Sequence, residues 1–560
     1  MTNNKNNLWF GLSLLVTFYF GLISLHYVVS NQYIIQDDAR QHLIWLQRLV
    51  EPQLFKDDLI INYFESVAPI GYKFFYWFWA KLGIAPIELA KTLPLILAII
   101  TTIYIYKVTL QIFPLPLAGF WSSLFVNQLI WLNDDLVSAS PRAFIYPLFS
   151  AFLYYLIKQK IFELLIAIAL IGLIYPQVLL IELTILTIRL VSWQTNSIKF
   201  CQTQKDYFIF LAAVIIACPI LFIYATNKSE FSPVVTSLQM QQMPEFGLHG
   251  RSQYFVSNPI LFFLNGSSGL SLPIFPTIVW ISLSLPWLLK SQSPLVKLIH
   301  PKVKILWEVL LASLLMFILA HLLLPKLHLP SRYTYHSFKL VMAIASGVVL
   351  VIWLDYFWQW FLKKNKFKTK LISILVNFSL ATIIIFPAIP VVFLVWFQNW
   401  QIGQAPVIYQ FLSSQPPDTL VASLTREADN IPAFSFRSVL VGREFALAYH
   451  TNYYQQFKQR VIDLIKAQSS PNSLKAKQVI QKYSIDYWLV ENDFFQPDYL
   501  FQYDWLNYSS FHNLVNQANT NLKQGEVPAL AKLIKENKCI SVATQNLTLL
   551  NAECILKQSN

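Results

Sequence analysis

The chain has 560 residues, 55% hydrophobic and only 13% charged, with a net charge of +13. An ordinary soluble domain carries about 25% charged residues, so a mean hydropathy of +0.47 argues against a soluble protein. With 14 glycines against 43 phenylalanines, it is not a low-complexity or disordered chain either.

After a short polar start with Lys5, residues 8–30 form an apolar run. The run is too long for a signal-peptide core and lacks a small-x-small cleavage site, so it predicts an uncleaved first span. Further apolar runs of span length lie at 86–106, 114–132, 143–157, 161–176, 177–194, 207–225, 271–289, 304–324, 337–360 and 371–397. That makes about eleven spans. Residues 161–194 also read as one segment kinked at Tyr175-Pro176. The aromatic residues 74–79, between Lys73 and Lys81, predict an interfacial or re-entrant helix.

Charge placement gives the spans a direction. With the N-terminus in the cytoplasm, the inner loops hold Lys107; Lys158 and Lys160; Arg189, Lys199 and Lys205; Lys290, Lys297, Lys302 and Lys304; then Lys363, Lys364, Lys366, Lys368 and Lys370. Asp206 is the acid among them, and the other loops hold paired acids. Basic residues flanking spans hold loops inside, so the positive charge reads as topology and no nucleic-acid partner is expected. The outer loops are then about 31–85, 133–142, 226–270 and 325–336. Residues 1–399 form the membrane part, and 400–560 lie outside.

From about 400 the composition changes. Residues 419–424, 438–441 and 485–490 read as strands, and 453–467, 473–484, 510–522 and 527–537 as helices. Residues 540–544 and 547–550 resemble a hairpin. The pattern predicts a small extracytoplasmic α/β domain. Cys539 and Cys554 flank the hairpin, as either a disulfide, which an oxidising compartment permits, or two buried thiols.

Candidate chemistry lies in the outer loops. The first contains Gln36-Asp37-Asp38-Ala39-Arg40, followed by Leu43, Leu46, Leu49 and Val50 at helical spacing. The acidic pair reads either as a cap on an amphipathic surface helix or as a general base for an acceptor hydroxyl. The second loop offers Asn133-Asp134-Asp135 and Arg142, a second carboxylate and an arginine that could come near the first pair; the third carries Glu245, His249 and Arg251. The fourth reads Pro330-Ser331-Arg332-Tyr333, with Arg332 placed to meet either a lipid or a ligand phosphate. His249, His328 and His336 lack zinc-ligand spacing.

The arrangement resembles the GT-C superfamily of membrane glycosyltransferases, which includes polyprenyl-phosphate-mannose-dependent transferases, the aminoarabinose transferase of lipid A, and oligosaccharyltransferases. The points of likeness are the early acidic pair Asp37-Asp38 after span one, the Pro69-Ile70-Gly71-Tyr72 stretch, and the late Arg332 at an outer span edge. The resemblance implies a mainly α, GT-C-like bundle. It implies Asp37 or Asp38 as catalytic base, with Asp134 and Asp135 assisting. Arg332 would meet the donor phosphate, helped by Arg251 or Lys73. The chain has Asp-Asp in place of D-x-D and no W-W-D signature. That favours a single sugar on a polyprenyl phosphate, passed with inversion to a glycan, lipid or protein acceptor at the outer face of the cell membrane. A divalent metal is not favoured. The competing readings are a lipid or solute transporter or flippase, and a non-catalytic scaffold with an outer binding domain.

Overall fold

The computed structural model describes residues 3–194, 197–226, 229–363, 376 and 379–558. The basic run 364–370 and the start of the predicted span 371–397 lie outside them. Among the described residues, five helices are long and apolar enough to cross a membrane: Asn4–Val29, Pro86–Ile112, Gln204–Thr226, Pro301–Leu322 and Pro330–Gln359. Shorter apolar helices include Ile161–Ile174 and Ser379–Ala388. Prolines start several helices at the first position, where their missing N–H costs nothing: Pro86, Pro116 and Pro176. The last separates Ile161–Ile174 from Pro176–Arg189, so residues 161–189 are two helices broken at Tyr175.

Three expected spans differ in detail. The segment 177–194 stops being helical at Arg189, and Val191–Gln194 pairs with Ser197–Phe200 as an antiparallel hairpin. Residues 271–289 hold three prolines and form a 3-10 helix, Thr277–Ser284, and a short turn of α-helix, Leu285–Leu288. Within 379–397, Pro387 and Pro390 divide the chain into a helical stretch and a π-helical turn, Val392–Phe397.

The centre of the bundle is Tyr335–Lys363 packed on Pro116–Trp131. Gly347 permits the crossing: a Cβ there would stand 2.5 Å from the Ser122 nitrogen. Such close approach of small residues is how apolar helices gain contact in lipid. Buried hydroxyls and amides tie neighbouring helices together. Thr17 and Thr102 share a hydrogen bond at 2.8 Å, and the Asn127 amide donates to the Thr102 oxygen at 2.9 Å.

The second layer is a five-stranded mixed sheet in the order Ser438–Val439, Leu420–Ser423, Tyr487–Glu491, Leu547–Asn551, Ile540–Ala543. The first three strands are parallel, and the last two close it as an antiparallel hairpin. Helices Thr451–Gln468 and Ser473–Tyr483 cross between strands. Cys539 and Cys554 are joined as a disulfide, with Cα atoms 5.3 Å apart.

A two-stranded link joins the halves. Ile34–Gln36 pairs antiparallel with Trp400–Ile402. The residues after it do not form the expected amphipathic surface helix. Ala39–His42 is a single α-turn and Ile44–Leu49 a 3-10 helix, with Leu43, Ile44, Trp45 and Leu46 all buried. The sheet domain covers this segment: the Gln41 amide donates to the Glu444 carbonyl at 2.9 Å.

Candidate active site

The strand link sets the position of the first acidic pair. The Asp37 N–H donates to the Asn399 carbonyl at 3.1 Å, so the pair leaves the strand at a fixed point. The two carboxylates then diverge. Asp37 bonds Arg40, which turns toward Asn430 and Glu444 of the sheet domain. Asp38 enters a cavity of about 620 Å³ and pairs with Arg142. Neither caps a helix: the Asp38 side chain accepts no N–H of the turn that follows.

Arg142 sits in the 3-10 turn Pro141–Phe144, after a loop that its neighbours pin in place. The Tyr72 and Tyr76 hydroxyls both donate to the Ala139 carbonyl, at 3.3 and 3.0 Å. The Ser138 hydroxyl donates to Ser140 at 2.8 Å. The guanidinium of Arg142 also reaches Asp135 at 2.8 Å, so it bridges two carboxylates. Asp135 is fully buried; the Tyr146 hydroxyl donates to it at 3.2 Å, and His336 lies 3.3 Å away. Burial pushes the Asp135 carboxyl up, but the charges of His336, Lys339 and Arg332 outweigh it and hold the group near 2. Burial and nearby Arg332 bring Arg142 down to about 10, still charged at neutral pH.

Arg332, which also lines the cavity, comes from the 3-10 turn Pro330–Tyr333. The Ser331 N–H donates to the Ser267 carbonyl at 3.2 Å and the Thr334 hydroxyl to the Leu270 carbonyl at 2.8 Å, so the turn is held against the end of segment 226–270. Its buried Nε has no hydrogen-bond partner among the described residues, and no carboxylate lies within ion-pair distance of the guanidinium. The polar lining also includes Lys326, Arg251, His42, His328, Tyr175 and Tyr449. Burial and Arg332 hold His42 down to about 4 and His328 to about 3, so both are neutral at pH 7. The cavity thus presents four cationic side chains against the single carboxylate of Asp38, an electrostatic fit for an anion.

Of the residues singled out from sequence, Asp38, Arg251 and Arg332 line the cavity. Arg251 is held by Glu444 at 2.8 Å. Asp135 stands directly behind Arg142, while Asp134 points away and accepts from the Asn399 amide at 3.1 Å. Lys73 is not in the cavity. On the helix Ile70–Lys81 its ammonium lies 5.7 Å from the Trp45 ring. The sequence allowed the second loop to bring Arg142 near the first acidic pair, where it is found, but assigned no role to Lys326, Tyr175 or Tyr449. Leu447, Tyr449 and His450, from the loop before the helix Thr451–Gln468, form part of the cavity wall. Among the described residues no group of three His, Cys, Asp or Glu side chains is arranged to hold a metal ion.

No protein-family model and no curated protein matches the chain. Among solved structures, it is similar to the Archaeoglobus fulgidus oligosaccharyltransferase in the apo form, with 10% identity over 92% of this chain and 73% of the other, at a TM-score of 0.45. The same enzyme tethered to an acceptor peptide gives 11% identity over 90% and 72%, at 0.44. The archaeal oligosaccharyltransferase AglB in complex with an inhibitory peptide and a dolichol-phosphate gives 11% over 90% and 72%, at 0.42. These likenesses are loose, and nothing about chemistry follows from them.

Proposed function

We propose that the protein is a membrane glycosyltransferase that moves a sugar from a polyprenyl-phosphate donor to a hydroxyl-bearing acceptor at the outer face of the membrane. The observation that carries this reading is that Arg332 and Asp38 line one cavity: a guanidinium whose Nε has no hydrogen-bond partner among the described residues, and a carboxylate that opens to the same space. A half-buried guanidinium left without a partner is costly, and a ligand phosphate offers the bidentate partner it lacks.

In the proposed reaction the donor phosphate lies against Arg332. The acceptor oxygen attacks the anomeric carbon as Asp38 takes its proton. The bond from that carbon to the phosphate oxygen breaks, and its electron pair leaves with the polyprenyl phosphate. Arg332 meets the charge that develops there, so cationic stabilisation does the work that a general acid does for poorer leaving groups. One displacement inverts the anomeric configuration. The acceptor is a glycan, lipid or protein, and the site takes a single sugar.

The test is turnover of a polyprenyl-phosphate hexose by purified protein. Release of polyprenyl phosphate that depends on an acceptor, and that is lost in Asp38→Asn, is expected. Absence of turnover together with absence of phosphate binding would overturn the reading. One observation favours a transporter instead: Glu182, within the helix Pro176–Arg189, is fully buried with both carboxylate oxygens unbonded. Donor movement across vesicles without cleavage would support that alternative.

A further inference from the structure

The same carboxylate that is proposed to act as base is also tied to a cation. Arg142 lines the cavity, pairs with Asp38 on one side, and reaches Asp135 at 2.8 Å on the other. A carboxylate whose oxygen is taken up by a guanidinium is a weak base, because proton uptake must first break a charge-assisted bond. In this structure Asp38 is therefore held in an unreactive pairing. Asp135 is built to keep Arg142 in place without Asp38: it is fully buried, and Tyr146, at 3.2 Å, and His336, at 3.3 Å, hold it on its far side. Arg332 lies close enough to Arg142 for its charge to be felt there, so an anion bound at Arg332 also faces Arg142.

Building on the transferase reading, we propose that Arg142 is a positioning residue shared between Asp38 and the donor phosphate. In the absence of ligand it locks Asp38. When a phosphate monoester or diester binds at Arg332, Arg142 pivots about its bond to Asp135 and exchanges Asp38 for a phosphate oxygen. The exchange swaps one ion pair for another and moves no proton. It frees Asp38 only once donor is present, so donor binds before acceptor is activated, and hydroxyls that enter an empty site are not deprotonated.

The exchange makes Asp38 and phosphate competitors for one guanidinium, which binding alone can read. The probe is farnesyl phosphate, with farnesol as the control lacking phosphate, titrated against the full-length protein in detergent micelles. Asp38→Asn removes the competitor while Asp135 still holds Arg142, so farnesyl phosphate should bind roughly tenfold more tightly. Arg142→Ala and Arg332→Ala should each weaken it by roughly tenfold or more, and adding Asp38→Asn to Arg142→Ala should restore nothing. Farnesol binding should be the same in all of them. Arg142→Lys guards against misfolding by keeping the charge, and in it Asp38→Asn should still tighten binding. If Asp38→Asn leaves phosphate affinity unchanged or lower while Arg332→Ala abolishes it, the sharing of Arg142 is wrong and the phosphate site stands. If wild-type protein binds farnesyl phosphate no better than farnesol, the phosphate site itself fails.

Discussion

Arg40 and Glu444 lie 404 residues apart in the chain and 3.4 Å apart in space. Both are buried, and the pair forms the centre of a network that also takes in Asp37, Asn430 and Arg251. It joins the segment after the first long helix to the sheet domain, one residue or two from the cavity carboxylate. Removing one member leaves the others buried without balance, which costs about 3–5 kcal/mol. Glu444→Ala should therefore release the sheet domain, seen as faster proteolysis between 400 and 420 and a lower melting temperature. Replacing Arg40 and Glu444 together by apolar residues should cost less than either single change.

The divergence of the two neighbouring aspartates separates their roles. Asp38→Asn should reduce transfer by about 10²–10⁴-fold, the usual worth of a general base. Asp37→Asn faces Arg40 and not the cavity, so it should keep transfer within about tenfold while loosening the sheet domain as Arg40 changes do. Equal losses of rate in both, at equal stability, would place the base outside Asp38.

Much of the sheet domain was legible because its strands and helices are short, amphipathic or apolar, and separated by turn residues. The expected strand at 419–424 is Leu420–Ser423, and the expected helix at 473–484 is Ser473–Tyr483. The site was legible only in part. The pair Asp37-Asp38 and Arg332 stood out because charged residues beside apolar runs are conspicuous, but nothing in the sequence says which aspartate enters the cavity. The link between Ile34–Gln36 and Trp400–Ile402 could not be singled out, since three-residue strands separated by the whole membrane part leave no periodic signal. Arg142 was legible as an arginine near the first acidic pair, but not as a bridge between Asp38 and Asp135, whose positions come from two different loops. Lys73 was misplaced for a simpler reason: helical spacing says which residues share a face, but not which face meets the cavity.

The disulfide gives a prediction that also bears on topology. Cys539 and Cys554 are 15 residues apart and close the terminal hairpin. In the loop-entropy view, a link of that length stabilises by about 3 kcal/mol. Replacing both cysteines by serine should lower the unfolding midpoint of the sheet domain and remove the mobility shift seen on reduction. A protein that never shows that shift, even when prepared without reductant, would put residues 400–560 in a reducing compartment and reverse the proposed orientation.

Asp134 supplies the pH dependence. Burial, and then the charge of Asp135, raise its carboxyl to about 6, against a hydrogen bond from Asn399 that lowers it. The folded value lies above the unfolded one, so the folded state binds the extra proton between the two. The stability this contributes is complete below pH 4 and lost as pH rises through about 6. A displacement of about two pH units corresponds to at most ~3 kcal/mol, and water reaching the partly exposed carboxylate reduces that to about 1–2 kcal/mol. Asp134→Asn carries no charge to lose. It should melt higher than wild type at pH 8, and the gap should close by pH 4. Because Asp134 does not line the cavity, farnesyl phosphate affinity should be unchanged in that variant. A gap that persists unaltered at pH 4 would mean the gain comes from packing or hydrogen bonding, not from the carboxylate's charge.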